Sequence, residues 1–386
     1  MGRLLKDSLS VLFIAGRLAP WKAGGPSQVQ SNLVNNLTRL PGFDVSVLGT
    51  IPRNARGISN FYNQVTVLPV QTTTRSGTFI DILMSILLYP YKSTKRKYDI
   101  IHFGITPGIR GSTSVLANGL LSSGSKLVAT IHGAPEELKL YDFPTMRRIA
   151  ATADWKLTFK SLSLFDCIVV NSNIMKERVR RIVSNKAIVV IPNGIEESLL
   201  KREPSKYEKN VILCYGSLNP IKGQDLLIRA FARSRVSSTH KLVLVGDGSH
   251  NFRKYCETLS QEMHLQDKVL FIGHLNHDQL FPLVEEAKVC VFPSRLESFG
   301  IGTLEAMALG RPVIATRLGG PIDFVTDNED GILLNPNDTV RMAASLEAIC
   351  SDSHLRRRLG ENARKKAASY SWPLISLKYA TLYESL

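Results

Sequence analysis

The sequence predicts an α/β protein made of two doubly wound domains, each a parallel sheet covered by helices on both faces. Three observations support this prediction. The chain has 386 residues, enough for two domains of about 150–200 residues each. Short apolar runs alternate with segments of helical period along the whole chain. A composition that is 44% hydrophobic and 21% charged can give each half its own core.

The apolar runs that predict strands form two series. In the first half they are SVLFIAG, FDVSVLGT, DIIHFG, KLVATIHG, CIVVNS and AIVVIPNG, with a helix predicted over Gln28–Arg39 after the first run. In the second half they are VILCYGS, KLVLVGDG, KVLFIGH, KVCVFPS and PVIATRLGG. Continuous apolar strands separated by helices are typical of parallel sheets that are buried on both faces.

A polar segment between the two series sets the predicted domain boundaries. Residues 196–210, EESLLKREPSKYEKN, form the predicted linker and hinge between a first domain at 1–195 and a second at 211–369. Residues 370–386 form a C-terminal helix. Ligands of such sheets bind beyond the carboxyl ends of the strands, so two domains would present these ends to each other across a cleft.

Targeting and redox signals favour a cytoplasmic protein. The N-terminal apolar run stops at Arg17 and is too short for a signal peptide, so it is interpreted as the first buried strand. No stretch reaches the roughly 18 apolar residues of a membrane-spanning helix. The five cysteines are scattered singly, as expected for reduced core thiols.

The net charge of +15 is distributed unevenly. Residues 1–200 hold 24 of the 48 Lys and Arg but only 12 of the 33 Asp and Glu. A one-sided basic field favours an anionic partner such as a phosphate or a membrane surface, although it can also serve solubility alone. No basic stripe interleaved with aromatic residues is present, and we expect no nucleic-acid partner.

The strongest motif is PSRLESFGIGTLEAMALGRPVIA at 293–315. Glu297 and Glu305 flank a glycine-containing turn that leads from a strand into a helix. Free amides at such a helix start suit a phosphate. Glu305 could accept hydrogen bonds from a ribose diol and Glu297 from a sugar ring. On spacing alone, two solvated carboxylates are an almost equal interpretation.

This segment resembles the Glu-x7-Glu motif of retaining GT-B glycosyltransferases, especially family four. Further matching motifs follow that family's order, namely IPNGI (191–195), YGSLNPIKG (215–223), LVGDGS (244–249), FIGHL (271–275) and the closing YSWPLISLKYATLYESL (370–386). The similarity is close over the second half and looser over the first. It implies a GT-B fold with two Rossmann-like domains across a cleft and a last helix that returns to the first domain.

The resemblance also implies roles for individual residues. Glu297, His132 and Lys222 are the expected catalytic residues. The expected donor-binding residues are Gly24, Gly25, Gly216, Ser217, Lys222, Ser298, Phe299, Gly300, Ile301, Glu305 and His274.

One position departs from the family's donor-binding pattern. The family pairs an Arg with the Lys at the donor diphosphate, whereas this chain has Ser217 beside the retained Lys222. Lys222 can still hold a phosphate as a point charge, but it lacks the bidentate fork of an arginine. Arg17, Lys22 and Arg317 are the candidates for replacing that arginine.

Two features of the first half match the family less specifically. Gly24-Gly25 resembles its glycine loop, in which backbone amides approach the donor phosphates, and an ordinary glycine turn is the alternative. His132 ends the strand KLVATIHG and matches the family's histidine near the transferred sugar, with a structural histidine as its alternative. His102 is not assigned a role.

The expected reaction needs neither a metal nor a cofactor. The sequence has no Asp-x-Asp and no His/Cys cluster with metal-ligand spacing. We expect Lys222 and helix N-terminal amides to stabilise the leaving diphosphate. The resemblance implies transfer of a hexose-type sugar from a UDP- or GDP-sugar to a hydroxyl acceptor, with retention by a front-face reaction.

The acceptor is the least specified part of the prediction. A lipid-linked or growing glycan is expected, because residues 78–97 place an apolar helix beside Lys92, Lys95, Arg96 and Lys97. Such a segment can dock peripherally on an anionic membrane, although a helix that is apolar all round can also be buried. A soluble small acceptor and a weakly active sugar-nucleotide-binding regulatory subunit are the alternatives.

Overall fold

The computed structural model describes residues 8–17, 25–52, 65–72, 97–105, 124–133, 162–205 and 207–386, together with residues 149, 152, 156 and 158. These residues divide into two compact units. The first holds the described residues up to Gly194 and the C-terminal segment Trp372–Leu386. The second holds the described residues of Ile195–Ser371.

The described part of the first unit is a parallel sheet of seven strands in the order β3-β2-β1-β4-β5-β6-β7. The strands are β1 Leu9–Arg17, β2 Phe43–Pro52, β3 Thr66–Thr72, β4 Ile100–Ile105, β5 Lys126–Ile131, β6 Cys167–Val170 and β7 Ala187–Val190. Its helices include α1 Gly25–Leu37 and α2 Asn173–Arg180. Every side chain of β6 is buried, as expected for a continuous apolar strand inside a parallel sheet.

The second unit is a parallel sheet of six strands in the order β10-β9-β8-β11-β12-β13. The strands are β8 Val211–Tyr215, β9 Lys241–Val245, β10 Val269–Ile272, β11 Val289–Phe292, β12 Val313–Thr316 and β13 Ile332–Leu334. The helices are α3 Glu197–Lys201, α4 Gln224–Arg233, α5 His250–Glu262, α6 His277–Glu286, α7 Ile301–Ala308, α8 Thr339–Ser351 and α9 Ser353–Ala368. The order reverses between β8 and β11.

Two apolar cores cover the faces of this second sheet. Alternate residues of β8 separate between them, with Leu213 and Tyr215 in one core and Ile212 and Cys214 in the other. This period of two is what a strand buried on both faces requires. The predicted pair of doubly wound domains is therefore confirmed.

The segment 196–210, predicted as a linker, is part of the second unit. Leu199 of α3 is buried in its core. The Glu208 carboxylate accepts from the buried Arg311 and Arg356 at 3.4 and 3.0 Å. One charged residue of the segment is therefore the partner of two buried arginines, and the sequence alone does not distinguish it from a charge on a solvated linker. The chain passes between the units at Gly194 and again after Ser371.

The last helix, α10 Trp372–Glu384, belongs to the first unit, where it packs on α1. Its Tyr383 side chain is fully buried. The Tyr383 hydroxyl is hydrogen-bonded to Nδ1 of His102 on β4, which ties the C-terminus of the chain to the centre of the first sheet. In the described part of the chain, no helix is long and apolar enough to cross a bilayer.

Candidate functional site

The candidate site lies where the strand order of the second sheet reverses. The loop after β8 (216–223) and the loop after β11 (293–300) leave the carboxyl ends of two neighbouring strands. Their connections turn to opposite sides of the sheet, so a crevice forms between the two loops. Ligands of open parallel sheets bind at this switch point.

The loop after β8 holds Lys222 in a fixed turn. The side chain of Asn219 accepts from the amides of Ile221 and Lys222 at 3.0 and 3.3 Å, which caps a 3-10 turn over Pro220–Lys222. Gly223 follows with φ +70°, and a Cβ at this position would lie 2.2 Å from the Pro293 carbonyl oxygen. Only glycine allows this contact, so the two loops are packed directly against each other.

Lys222 and Glu297 meet across these two loops. Lys222 Nζ lies 2.7 Å from Glu297 Oε2, and the Ser294 hydroxyl donates to the same oxygen at 3.0 Å. The Glu297 side chain is 15% exposed and that of Lys222 is 33% exposed. The pair is therefore partly shielded from water, where a charge-assisted hydrogen bond is stronger than at an open surface.

The Glu297 loop leads into helix α7. Gly300 caps this helix with φ +100°, and Ile301 is its first residue. The Phe299 ring is buried against Phe324 at 5.1 Å, and Ser298 is almost fully buried. Any donor contact of Phe299 would therefore come from its backbone. The free amides of the first turn of α7 make this end of the helix suitable for an anion.

Glu305 lies one turn into α7 and is partly buried. Burial, and next the negative charge of Glu196, raise the pKa of its carboxyl to about 8. The neighbouring Tyr215 hydroxyl donates to the Gly302 carbonyl at 2.6 Å, and burial followed by the charge of Glu305 raises the pKa of that hydroxyl. Near neutral pH, Glu305 is largely protonated and can donate a hydrogen bond as well as accept one.

A second ion pair, between the loop after β11 and the start of α4, was not identified from the sequence. The Arg295 guanidinium is bidentate to Asp225, with Nη1–Oδ1 at 2.8 Å and Nη2–Oδ2 at 2.7 Å. Arg295 stands two residues before Glu297, and Asp225 stands three residues after Lys222. The sequence does show a charged residue near each of the two motif residues. It does not show that the two pair with each other, because 70 positions separate them.

No contact with the Lys222–Glu297 pair is observed for the other predicted residues of this unit that are described next. Gly216 directly follows β8, and the exposed Ser217 accepts at its carbonyl from Gln224 Nε2 at 3.1 Å. The exposed His274 follows β10, the edge strand, which β9 separates from β8. Arg317 donates to Asp327 at 3.1 Å and to the Leu333 carbonyl at 2.8 Å, so its guanidinium already has partners.

In the first unit, the predicted glycine loop falls partly outside the described residues. Gly24 and Lys22 are not described, while Gly25 is the first residue of α1. Arg17 is the last residue of β1, and only its backbone is described.

His132 directly follows β5, and its amide donates to the Ile105 carbonyl at 3.0 Å. Burial lowers the pKa of His132 to about 4, so the ring is neutral at physiological pH and can both donate and accept. His102, which has no assigned role, is buried on β4. Its Nε2 is hydrogen-bonded to Thr130 Oγ1 at 2.7 Å, and burial, followed by the charge of His132, lowers its pKa to about 3.

Metal-ligand geometry is absent from the described ranges, in which no three His, Cys, Asp or Glu side chains come together as ligands of an ion would. The described polar groups of the site are the Lys222–Glu297 ion pair and the Glu305 carboxyl with its raised pKa, beside a helix N-terminus. Such a set can bind an anion and several hydroxyl groups.

Comparison with known families identifies the protein class to which these residues belong. The family model described as Glycosyl transferases group 1 matches residues 196–366. The model described as Glycosyltransferase Family 4 matches residues 23–199. Together the two matches cover nearly the whole chain. The chain belongs to these glycosyltransferases. The resemblance carried by the Glu-x7-Glu motif is thus confirmed, and the protein is a transferase enzyme.

Relatives and solved structures extend this result. An uncharacterized glycosyltransferase of Methanocaldococcus jannaschii is 34% identical over 178 residues, covering 46% of this chain and 45% of that relative. Sucrose-phosphate synthase of Thermosynechococcus elongatus has a TM-score of 0.81 at 23% identity, covering 98% of both chains. Anabaena HepE, solved with UDP and glucose, has a TM-score of 0.78 at 19% identity, covering 98% of this chain and 100% of HepE.

At these identities the structural likeness shows the fold alone, and the predicted GT-B fold of this glycosyltransferase is confirmed. The chain spans less than half the length of the Methanocaldococcus relative. The roles of the individual site residues stay predictions.

Proposed function

We propose that this glycosyltransferase moves a hexose-type sugar from a UDP- or GDP-sugar to a hydroxyl group, with retention of anomeric configuration and without a metal ion. The observation that carries the proposal is the contact between Lys222 and Glu297, 2.7 Å apart at the switch point of the second sheet. A cation and a carboxylate held there match the two ends of a sugar diphosphate, one anionic and the other rich in hydroxyl groups.

The diphosphate would be bound by Lys222 and by the first amides of α7. Lys222 can move from Glu297 to a phosphate oxygen because its long side chain is one-third exposed. Negative charge grows on the leaving diphosphate during transfer, and a fixed cation with aligned amides stabilises that charge in the transition state. Lys222 therefore contributes to catalysis as well as to binding.

The two carboxyl groups would bind the hydroxyl groups of the donor. Glu297, whose Oε2 already accepts from Lys222 and Ser294, can accept further hydrogen bonds from the transferred sugar. Glu305, with its pKa near 8, can both donate to and accept from a ribose diol. Because Anabaena HepE was solved with UDP and glucose, uridine nucleotides are the first donors to test.

The stereochemical and metal parts of the proposal rest on the Glu-x7-Glu resemblance and on the residues of the site. His132 would assist as a neutral hydrogen-bonding group that positions the transferred sugar, because its pKa of about 4 leaves it uncharged near pH 7. The departing phosphate would receive the proton of the acceptor hydroxyl.

A donor screen followed by product analysis tests this function. Thermal unfolding is measured with UDP-, GDP- and ADP-sugars, because a ligand that binds only the native state raises the melting temperature. The stabilising donor is then incubated with candidate acceptors in EDTA, and the anomeric proton of the product is followed by NMR. Turnover in EDTA with the donor's anomeric configuration supports the proposal, and an inverted product or an absolute metal requirement contradicts it.

The proposed acceptor is a lipid-linked or growing glycan, with residues 78–97 as the membrane-docking segment of the basic first half. Only Lys97 of this segment lies within the described residues, where it is exposed. The protein should then co-sediment with phosphatidylserine-containing vesicles at low salt and be released at high salt, since charges are screened within ~10 Å at 0.1 M. Transfer to a small sugar acceptor without vesicle binding would favour a soluble acceptor instead, the kind of substrate that the name of the sucrose-phosphate synthase neighbour suggests.

A further inference from the structure

Arg295 links the loop after β11 to the Lys222 turn and to the start of α4. It follows β11 by three residues and comes two residues before Glu297. Its guanidinium makes a bidentate fork to Asp225, the second residue of α4, with both N–O distances below 2.9 Å. The Asp225 side chain is only 9% exposed, so this carboxylate relies on the arginine as its counter-ion.

The same arginine also binds the turn that carries Lys222. Arg295 Nη1 donates to the Pro220 carbonyl at 2.7 Å, and the backbone amide of Arg295 donates to the Ile221 carbonyl at 2.7 Å. Its contacts therefore reach residues on both sides of Lys222 in the chain. The 3-10 turn that ends at Lys222 is thus held from two directions.

These contacts give Arg295 a role that differs from that of a phosphate-binding arginine. Its fork is directed at Asp225 and the Pro220 carbonyl, so it does not supply the bidentate group that Ser217 lacks. Its contacts instead fix the position of the Lys222 turn relative to Glu297, which lies two residues after Arg295 in the loop 293–300. A shift of the turn by about 1 Å would spoil a salt bridge of 2.7 Å.

We propose that Arg295 is a positioning residue for donor binding, acting through Lys222 on the diphosphate of the nucleotide sugar. This inference rests on the proposed function. Arginine is needed because its planar fork can bind both carboxylate oxygens and a carbonyl at once, whereas a lysine would provide a single point charge. Lys222 thus has a firmly held position although the neighbouring family arginine is replaced by Ser217.

A double-mutant cycle tests the coupling. Arg295→Lys, Lys222→Met and the double variant are titrated with UDP by calorimetry, with GDP and ADP as further probes. We expect Arg295→Lys to weaken binding of the preferred nucleoside diphosphate about tenfold in the otherwise native chain, and less than about twofold in the Lys222→Met background. The corresponding nucleoside without phosphates should bind all four proteins equally.

A matched control separates positioning from general loosening of the unit. Arg202 and Glu285 form another bidentate pair in the same unit, linking the end of α3 to α6. Arg202→Lys should leave nucleoside diphosphate binding within about twofold, since this pair contacts neither loop of the site. Because an unpaired Asp225 could unfold the chain, the neutral pair Asp225→Asn with Arg295→Gln is measured as well, and it should fold and bind UDP more weakly.

Three results would overturn the inference while leaving the proposed function intact. The first is an unchanged UDP affinity in Arg295→Lys and in the Asp225→Asn, Arg295→Gln variant. The second is a loss of UDP affinity on Arg295→Lys that is the same in the native and the Lys222→Met backgrounds. The third is a loss of UDP affinity in Arg202→Lys as large as that in Arg295→Lys. A native chain that binds no nucleoside diphosphate would instead overturn the proposed function, and this inference would fall with it.

Discussion

The two units carry different chemistry near the strand pair at which the order of each sheet reverses. In the second unit, the Lys222–Glu297 pair joins the loops after β8 and β11, and the Arg295–Asp225 pair joins the loop after β11 to the start of α4. In the first unit, β4 occupies the place of β11, next to the first strand where the order reverses, and it carries His102. That histidine is neutral, with Thr130 and Tyr383 as uncharged partners.

This difference has a physical consequence. Lys222 can exchange Glu297 for a phosphate oxygen, while the Glu297 carboxylate keeps its hydrogen bond from Ser294 and gains those of the sugar hydroxyl groups. A neutral network of imidazole and hydroxyl groups offers no such exchange, and its contribution is to hold α10 on the sheet. The second unit is therefore suited to bind the charged end of a donor, and the predictions below test that contrast in order of expected effect.

The largest expected effect comes from the packing of the two loops. Gly223→Ala places a Cβ 2.2 Å from the Pro293 carbonyl in a backbone with φ +70°, and it should cost about 2–4 kcal/mol in the free energy of unfolding. Gly42 of the first unit is the matched control, because its φ is +82° but nothing lies within 4 Å of its Cβ position. Gly42→Ala should cost only about 1–2 kcal/mol. Equal losses in urea unfolding would show that loop packing contributes nothing.

Glu297 should affect turnover more than affinity. Glu297→Gln keeps the shape of the side chain but removes the charge that orients the sugar and balances Lys222, so we expect kcat to fall about 10- to 100-fold. UDP affinity should change much less, because the bare nucleotide lacks the sugar. Glu285→Gln, in an ion pair outside the site loops, is the control for charge loss. Equal falls in kcat and UDP affinity would assign Glu297 to the nucleotide.

The pH dependence of stability should have opposite signs in the two units. The pKa of His102 is lowered to about 3, so acid favours the unfolded chain below about pH 6.5. The pKa of Glu305 is raised to about 8, so stability is lost as the pH rises from about 4.5 to 8. Relative to the native chain, the melting temperature of His102→Gln should therefore improve towards pH 4 and that of Glu305→Gln towards pH 8. The same pH trend in both variants would contradict the contrast.

Ser217→Arg should produce the smallest change. Ser217 is exposed beside the Lys222 turn, so an arginine there could add a charge-assisted fork to the diphosphate and tighten UDP binding up to about tenfold. Ser351→Arg, at the exposed end of α8, is the control for added positive charge. Weaker binding of Ser217→Arg would indicate that another cation already occupies this position.

The fold could be predicted from sequence because parallel strands buried on both faces appear as continuous apolar runs. The motif residues could be predicted because their types and spacing match the family. The contacts among them could not be predicted, since Lys222 and Glu297 are 75 positions apart and the register of the two loops depends on Gly223 and Pro293.

Two further residues illustrate the same limit. His102 received no role because its partner Tyr383 lies 281 positions away on the last helix. Segment 196–210 has the composition of a linker because the sequence does not show which of its polar residues have buried partners. Glu208 is such a residue, and its partners Arg311 and Arg356 lie more than a hundred positions further along the chain.

Binding of a nucleoside diphosphate to the Lys222→Met variant is the most direct test of the central claim, that the charged pair of the second unit binds the donor diphosphate. Calorimetry with UDP, or with the nucleotide that the donor screen selects, should show at least about a tenfold loss of affinity in Lys222→Met, because a charge-assisted contact to phosphate is removed. Affinity for the nucleoside alone should be unchanged. If Lys222→Met is folded and binds the nucleoside diphosphate as tightly as the native chain, the diphosphate is bound elsewhere and the account is wrong.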